Sequence, residues 1–474
     1  MTLRIISLLV LLTHSVFGNK YGNVWQFGDN AGIDFNSCEP VALTNGNNSG
    51  FEGCASYSDT AGQLLFYTNS DLVWNRSHVA MPNGNLVAAS GSLSQVIIIP
   101  RPLSTSLYYI VTTKLQAAGT LSLQYHVVDI SLNSGLGDVT IKNNVMTSAN
   151  ITEQIAATWH ANGTDIWLMA HEYGTNNFLA YLVTSAGISQ TPVISSIGPL
   201  HVACNSNINA RGAIKFSPDG NKLAFNANGV GGNDPSNLLC IFDFDNSSGI
   251  VFNPINLPFS RGDFGLSFSA NSSKLYGTTW KGLNFGANDN NYIYQFDLSS
   301  NNASTIIASK EIIDSIQVPG SFGDIKLAPN GKIYVAKSNA GYLGVITNPN
   351  QAGLSCNYIS NGFFLAGKTC NYGLNNYIEY TNNCEQPTEV DGSLFQNSLK
   401  IFPNPSTGTI NIILSSNTFI DKVKIYNITG QIVFSEEINL STKKEIQVDN
   451  LKAGIYFVKM SDSMQQYTTK FIVE

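Results

Sequence analysis

The sequence predicts an all-β protein: a β-propeller of about seven blades followed by a small immunoglobulin-like β-sandwich. One hairpin pattern recurs through residues 19–384 at a period in the fifties. No stretch of that region keeps the 3.6-residue apolar period of a helix, so helices are expected to be few. The last eighty or so residues change to short alternating strands separated by turns. Repeated four-stranded units arranged in a ring explain the first two observations, and a separate module explains the third.

The recurring hairpin is clearest around residue 220. Ile214 and Phe216 alternate on one strand, and Leu223 and Phe225 alternate on the facing strand. The connecting residues 217–220 are Ser-Pro-Asp-Gly, which supply serine, proline and glycine at the corners where a type I turn favours them. The sequence therefore predicts two antiparallel strands in a fixed register.

Related hairpins recur along the chain. Successive turn positions from residue 163 onwards are 57, 52 and 59 residues apart, a period close to that of kelch repeats. The 101-residue step before residue 163 leaves room for another copy, with strands at Val96–Pro100 and at 108–113. An open ring would expose strand edges, so we expect Val24–Phe27 to pair with strands around 372–380 and complete the last blade. The turn positions are Gly62, Gly163, Gly220, Ser272 and Gly331.

The alternative architecture is a pair of β-sandwiches. Sandwich strands differ in length and spacing, and they would not repeat one hairpin at a constant step. The hairpin at 216–225 (Phe-Ser-Pro-Asp-Gly, then Lys-Leu-Ala-Phe) resembles the PD40 or WD40-like repeats of periplasmic and secreted bacterial propellers. This resemblance implies the propeller fold and no particular activity.

The N-terminus has the pattern of a signal peptide over residues 1–18. Arg4 precedes the apolar run 5–12, and residues 16–18 offer small side chains for cleavage after Gly18. That run is too short to span a bilayer, so we expect an exported protein without a transmembrane segment.

Seven cysteines would then lie in an oxidising compartment, where they are expected to form disulfides or to be inert buried thiols. Neither a Cys-x-x-Cys motif nor Cys/His spacing suited to zinc occurs. An odd number leaves one cysteine unpaired, and the pairing is open. The pairs nearest along the chain are Cys38 with Cys54, Cys204 with Cys240, and Cys356 with either Cys370 or Cys384.

The C-terminal region begins with a polar, unpatterned linker at 385–393, followed by a module at 394–474. Its motifs are Phe-Pro-Asn-Pro with a nearby glycine, a Tyr-Asn-x-x-Gly turn, a Leu-x-x-Gly-x-Tyr strand and a final lysine before an apolar end. In this order they resemble the type A C-terminal sorting domain of the type IX (Por) secretion system. The residues that carry the resemblance are Pro403, Asn404, Pro405, Gly408, Gly430, Gly454, Tyr456 and Lys470.

The resemblance implies a route and a location. The tail would be recognised by the type IX translocon in the outer membrane and is commonly cleaved there. The protein would be secreted, or attached to the outer surface of a Gram-negative bacterium. Without the ordered motifs, the module would read as an immunoglobulin-like stability or binding domain.

The chain offers few signals for chemistry. A formal net charge of −7 argues against a nucleic-acid partner. Catalytic motifs such as Gly-x-Ser-x-Gly, His-Glu-x-x-His and the P-loop are absent, and no cofactor is predicted. Asp243, Asp245 and Ser247 place oxygen donors at alternate positions like a loose calcium loop, although the glycine and distal glutamate of such a loop are missing.

The function that these observations favour is recognition of an extracellular glycan or protein, as in an adhesin. The alternative is an extracellular hydrolase or lyase acting on glycans or lactones within the central channel, and a third hypothesis is a purely structural role at the surface. Three or more acidic or imidazole groups converging at the channel mouth would favour the enzyme. A channel lined by hydroxyls, amides and backbone would favour binding.

Overall fold

The computed structural model has two compact units, Met1–Cys384 and Glu385–Glu474, which are described separately. None of the helices among the described residues has the length and apolar character needed to cross a bilayer. The predicted signal peptide and linker lie outside the described residues and stay predictions. The structure describes residues 20–37, 39–86, 95–115, 120–147, 149–202, 210–227, 238–258, 262–280, 290–317, 320–381, 399–414, 422–428, 431–437, 445–461 and 466–474.

The described part of the first unit is almost entirely β, with seven antiparallel sheets that follow one another along the chain. Short helical segments in the described part of this unit lie at Leu132–Gly135, Ala303–Ala308 and Gly353–Cys356. Sheets 1 to 4 contain β1 (Val24–Phe27), β2 (Ala31–Asp34), β3 (Val41–Leu43); β4 (Ala55–Ser58), β5 (Leu64–Thr68), β6 (Leu72–Asn75), β7 (Ala80–Asn85); β8 (Val96–Pro100), β9 (Leu107–Leu115), β10 (Leu121–Asp129), β11 (Asp138–Thr147); and β12 (Ile151–Trp159), β13 (Ile166–Glu172), β14 (Asn177–Thr184), β15 (Gly187–Ile188), β16 (Val193–Ser196). Sheets 5 to 7 contain β17 (Ile214–Phe216), β18 (Lys222–Ala227), β19 (Leu238–Asp245), β20 (Ile250–Asn256); β21 (Asp263–Phe268), β22 (Lys274–Thr279), β23 (Asn290–Asp297), β24 (Glu311–Gln317); and β25 (Phe322–Leu327), β26 (Ile333–Lys337), β27 (Tyr342–Ile346), β28 (Tyr358–Phe364).

The predicted hairpin has the expected register. Ile214 pairs with Phe225, and Phe216 pairs with Leu223. The amide of Gly220 donates to the carbonyl oxygen of Ser217 at 2.8 Å, and Gly220 has φ +70°, a conformation that glycine adopts without a Cβ clash. The hairpin is therefore determined largely by local sequence.

The sheets form a β-propeller. The first strand of each sheet contacts the first strand of the next, from β1 through β4, β8, β12, β17 and β21 to β25, so these strands surround a central channel. The ring closes where Trp25 and Phe35 of the first sheet pack edge-on against Tyr334 of the last, with centroid distances of 5.9 and 5.4 Å. Apolar packing therefore joins the first sheet to the last.

The expected strand pairing of Val24–Phe27 with residues 372–380 is wrong in its detail. The ladder partner of β1 is β2, and residues 371–380, here called the strap, contain no strand. The nearest bridge pairs Asp29 with Thr369, two residues after β1 and two residues before the strap. The physical reason is that side chains of the strap satisfy backbone groups: the Asn375 carboxamide oxygen accepts from the amide of Ser56.

Between neighbouring sheets the core is aromatic and aliphatic. Phe225 is 2% exposed and packs against Phe178 of the preceding sheet, with a centroid distance of 5.6 Å. The same ring stacks on His171 at 4.5 Å and lies 6.0 Å from His201. His171 is thus a core residue, and burial together with His201 lowers its pKa well below the usual value.

The disulfide between Cys356 and Cys370, one of the two pairings offered for Cys356, is wrong, because both are buried free thiols. The Cys370 thiol instead donates to the carbonyl oxygen of Lys337 at 2.8 Å, a contact that keeps its sulfur within the last sheet. Cys54 and Cys240 are also free. The other cysteines of the expected pairs, Cys38, Cys204 and Cys384, lie outside the described residues.

The second unit is a β-sandwich of two antiparallel sheets, ordered β29-β30-β33 and β32-β31-β34-β35. Inward-facing apolar residues such as Ile412, Val423 and Val458 form its core. The alternating pattern predicts six or seven short strands in this module, and its described residues contain seven. They are β29 (Leu399–Phe402), β30 (Ile410–Leu414), β31 (Lys422–Asn427), β32 (Ile432–Glu437), β33 (Glu445–Val448), β34 (Gly454–Ser461) and β35 (Gln466–Val473).

Candidate binding site at the mouth of the central channel

The strap runs through the central channel, and Asn376 is its hub. The Asn376 amide donates to the carbonyl oxygen of Cys54, just before β4. Its side-chain amide donates to the carbonyl oxygens of Val96 (3.1 Å) and Ile155 (3.4 Å), on β8 and β12. Its carboxamide oxygen accepts from Lys215 (3.2 Å) and Lys326 (3.3 Å), on β17 and β25. One asparagine therefore contacts five of the seven sheets.

Glycine at 373 is needed for this path, because a Cβ there would overlap the carbonyl oxygen of Glu52. Beside Asn376, a space of about 10 Å³ remains, room for about one water molecule. The strap thus occupies the channel beside Asn376.

A buried charge network surrounds the strap. Lys215 lies 3.4 Å from a carboxylate oxygen of Glu379, and Lys326 lies 3.2 Å from Asp324. Burial, with Lys326 beside it, lowers the pKa of Lys215 to about 8. Burial alone would also lower the pKa of Lys326, but the carboxylates of Asp324 and Glu379 hold it above its usual value. Burial raises the pKa of Glu379. These groups hold the strap in place.

Acidic groups and an arginine converge where the innermost strands begin. Glu52 precedes β4, Arg211 precedes β17, and Glu153 and Asp324 are the third residues of β12 and β25. Burial raises the pKa of Glu52 to about 8, with the Arg211 charge opposing the shift and Asp324 adding to it. Burial and the neighbouring Glu52 raise the pKa of Glu153 well above its usual value. At neutral pH the mouth therefore combines a protonated Glu52 carboxyl with the Arg211 guanidinium.

Access to these groups differs. Glu153 is 1% exposed, and its Oε2 has no hydrogen-bond partner among the described residues. Glu52, Arg211 and Asp324 are half-buried and reach the surface of the mouth. A ligand at the mouth therefore meets Glu52, Arg211 and Asp324 first.

An aromatic cluster adjoins these charges. Tyr372 of the strap lies 5.0 Å from the ring of Phe51, 6.3 Å from Phe264 and 6.0 Å from Trp280. Phe51 is 46% exposed, and the other three rings are half-buried. The carbonyl oxygen of Tyr372 accepts from the amide of Asp324 at 2.7 Å, which joins the aromatic cluster to the acidic one. Aromatic surface with a few convergent polar groups is typical of a ligand site.

Sequence reasoning did not identify this site, although the repeat contains a signal for part of it. Lys215 and Lys326 each stand five residues before the turn glycine of their hairpins, Gly220 and Gly331. Aligning the repeats on that glycine would show lysine at the same channel-facing position twice. The aromatic cluster has no comparable signal, since its members come from separate loops.

The predicted calcium ligands have other partners. Asp243 accepts from Lys222 (3.0 Å) and from Asn253 (2.9 Å). Asp245 accepts from Ser247 and Ser248, and these hydrogen bonds lower its pKa to about 2. Within the described part of the chain, no group of three or more His, Cys, Asp or Glu side chains is arranged to hold a metal ion. Calcium at Asp243, Asp245 and Ser247 stays a prediction.

Several sorting-motif residues meet at one end of the sandwich. Asn404 accepts from the amide of Ile472 (2.9 Å), and the amide of Glu474 donates to the carbonyl oxygen of Ser406 (2.7 Å). Pro403 and Pro405 flank Asn404, and Gly408 accepts from the amide of Leu451 at 3.0 Å. The Pro-Asn-Pro segment is thereby bonded to the end of the chain.

The other sorting residues lie on the four-stranded sheet. Gly454 begins β34 and pairs with Val473, while Tyr456 stacks on Phe471 with a centroid distance of 5.4 Å. Lys470 is exposed on β35. Gly430 lies outside the described residues.

Comparison with known proteins identifies the tail. Residues 400–474 match the family described as "Secretion system C-terminal sorting domain". This confirms the sorting module and places the protein outside the cell or on its surface, exported by the type IX system.

Two curated relatives match a short stretch. The endo-acting ulvan lyase of Formosa agariphila is 27% identical over 85 residues, 18% of this chain and 16% of its own. The ulvan lyase NLR42 of Nonlabens ulvanivorans is 31% identical over 77 residues, 16% of this chain and 14% of its own. These stretches are about as long as the sorting domain and span a small part of either relative.

Solved structures similar to this chain include propellers. The Cps50 (Swd1) β-propeller domain of Myceliophteria thermophila is 10% identical, with a TM-score of 0.39 covering 67% of this chain and 91% of that one. A structure described as glucose dehydrogenase is 10% identical, with a TM-score of 0.36 covering 61% and 94%. Likenesses of this size say nothing about activity.

Proposed function

We propose that this exported propeller binds a carbohydrate at the mouth of its central channel. The observation that carries the proposal is the convergence of four aromatic rings, Phe51, Phe264, Trp280 and Tyr372, beside half-buried carboxyls and Arg211. The apolar faces of sugar rings pack against aromatic rings, while carboxyl and guanidinium groups hydrogen-bond hydroxyls. The strap beneath the mouth is held by hydrogen bonds and a buried ion pair, and such preorganisation lowers the entropic cost of binding.

The proposal includes the finer features expected from the sequence. Residues 1–18 direct export and are removed, residues 19–384 form the propeller, 385–393 link it to the sorting module at 394–474, and that module engages the translocon. The hairpin register around Gly220 supports blades of the PD40 or WD40-like kind.

Binding can be tested with the purified chain and a panel of soluble polysaccharides, ulvan included, by isothermal titration calorimetry. Phe51→Ala and Trp280→Ala are expected to weaken binding about tenfold or more, because buried aromatic contacts dominate such sites. Phe252→Ala is the matched control, since Phe252 is 40% exposed on β20 and is not one of the four rings of the proposed site. Equal binding by wild type and the Phe51/Trp280 double variant would place the site elsewhere.

A second candidate function is acid–base cleavage of a bound glycan. Glu52, Glu153 and Asp324 meet the criterion of three acidic groups at the mouth, and the raised pKa of Glu52 would let it protonate a leaving oxygen at neutral pH. Binding remains the better-supported function because Glu153 is 1% exposed. A substrate therefore meets two carboxyls without any side-chain movement.

The Glu52→Gln variant distinguishes cleavage of a polysaccharide from binding alone. An enzyme would lose release of new reducing ends while keeping polysaccharide affinity within a few-fold, and Asp245→Asn would keep both. If no polysaccharide of the panel is cleaved by wild type under conditions where binding is saturated, cleavage is ruled out for that panel.

A further inference from the structure

The outward face of the four-stranded sheet in the sorting module is unusually apolar. Along β34, Tyr456 and Val458 point into the core, whereas Ile455 (45% exposed) and Phe457 (39%) point outward. On β35, Ile472 is 39% exposed and lies directly opposite Ile455. Monomeric soluble proteins rarely expose such contiguous apolar surface without a partner.

The apolar side chains continue across the sheet. Phe457 lies opposite Tyr426 on β31, and Tyr426 lies opposite Ile432 on β32, which is 47% exposed. Cross-strand pairing therefore forms one patch from Ile432, Tyr426, Phe457, Ile455 and Ile472, here called the outer patch.

Three lysines border the outer patch. Lys424 and Lys459 form a directly opposed cross-strand pair, and Lys470 lies opposite Phe457. Among the described residues none of these lysines forms an ion pair, and no described side chain of this face is a carboxylate. Like charges directly opposite each other destabilise a sheet, so the Lys424–Lys459 pair costs stability in the isolated protein. A binding partner that supplies negative charge would offset this cost.

We propose that the outer patch and its lysines dock the sorting module on an anionic phospholipid bilayer. The charge complementarity favours this occupant: apolar side chains can enter the boundary between headgroups and acyl chains while the flanking ammonium groups contact lipid phosphates. Phe457 and Tyr426 are suited to that boundary, and the lysine stems allow the charges to reach the headgroups. Docking would hold the tail at the membrane surface. This inference is independent of carbohydrate binding at the channel mouth.

The test is sedimentation of the full chain with vesicles of phosphatidylcholine alone or with a third phosphatidylglycerol. Wild type is expected to bind the anionic vesicles and to be released by 0.5 M salt, since screening weakens such contacts. Lys424→Gln with Lys459→Gln is expected to reduce partitioning about 25-fold, about fivefold for each lysine. These substitutions remove a like-charge pair, so the module should remain folded. Lys452→Gln, at an exposed lysine outside the sheet, is the matched control and should bind as wild type.

A second variant, Phe457→Ser, probes the apolar part and should lower partitioning into anionic vesicles while the salt dependence remains. The proposal is overturned if wild type binds neither vesicle, or if both vesicles bind equally and the lysine substitutions change nothing. Concentration-dependent dimerisation that Phe457→Ser abolishes, without vesicle binding, would assign the outer patch to a second copy of the chain instead.

Discussion

The carboxamide oxygen of Asn376 lies 3.2 Å from the ammonium nitrogen of Lys215, although 161 residues separate them. The same side chain contacts sheets 3, 4, 5 and 7, and the Asn376 backbone contacts sheet 2. A propeller whose first and last sheets meet mainly by apolar packing thus has a polar tie at its axis. This tie explains how the chain beyond the last sheet contributes to the ring.

We expect Asn376→Ala to lower the free energy of unfolding by about 3 kcal/mol. The variant removes the Asn376 donor from two buried carbonyls and the Asn376 acceptor from two buried lysines, which keep only their carboxylates. Lost hydrogen bonds to buried polar groups of this kind are costly. Chemical denaturation followed by tryptophan fluorescence measures the change. Asn371→Ala is the control: Asn371 lies in the same strap but makes one side-chain hydrogen bond, to Gly50 at 3.2 Å, and should cost about 1 kcal/mol. Equal losses in the two variants would refute the hub role.

Stability should depend on pH through Glu52. In the folded chain Glu52 keeps its proton up to about pH 8, whereas the unfolded carboxyl loses it near 4.5. Between these values the folded state binds the extra proton, so raising the pH through this window removes stability. Glu52→Gln should therefore lose less unfolding free energy than wild type between pH 5 and pH 8.

Denaturation at pH 5, 6.5 and 8 measures this effect. Asp245→Asn is the control, because the pKa of Asp245 is lowered to about 2 and the carboxyl is ionised in both states across the window. Parallel curves for wild type and Glu52→Gln would show that Glu52 titrates normally.

Phe225→Asp should prevent stable folding of the propeller or cost about 4 kcal/mol or more. The substitution places an unpaired charge among Phe178, His171 and the rest of an inter-sheet core, where Phe225 is 2% exposed. Thermal unfolding by circular dichroism gives the readout. Phe252→Asp, at a position 40% exposed on an outer strand, should change stability by less than about 1 kcal/mol, and a comparable loss there would mean that burial is not the cause.

Deleting residues 394–474 should keep the propeller inside the cell envelope, because the sorting domain at 400–474 is what the secretion system recognises. Immunoblots of periplasm, cell surface and medium from a host with a type IX system measure the distribution. Normal appearance in the medium would contradict the sorting role. In the matched control only residues 385–393, the predicted linker, are deleted, and this variant should be exported as the full chain is.

Local sequence predicts much of this fold. Alternation at Ile214, Phe216, Leu223 and Phe225 predicts both strands and their register, because a period of two and a Ser-Pro-Asp-Gly turn leave few other pairings. The sorting module is predictable for a similar reason. Its motifs are short, lie at turns and strand ends, and follow one another in a fixed order along the sequence. Pairing by nearness along the chain fails for Cys356 and Cys370, because such nearness does not place two sulfurs within bonding distance.

The sequence by itself determined the repeated hairpins, the all-β class and the export tail, since each single motif behind them lies within about a dozen consecutive residues. Only the tertiary structure decided what fills the channel and what gathers at its mouth. Asn376 is not part of the repeated hairpin pattern. Glu52, Arg211 and Asp324 belong to three different sheets or to the loops before them. Ring closure brings such residues together, and the resulting burial raises the pKa of Glu52. Neither effect is encoded in any local pattern, because both arise from contacts between distant parts of the chain.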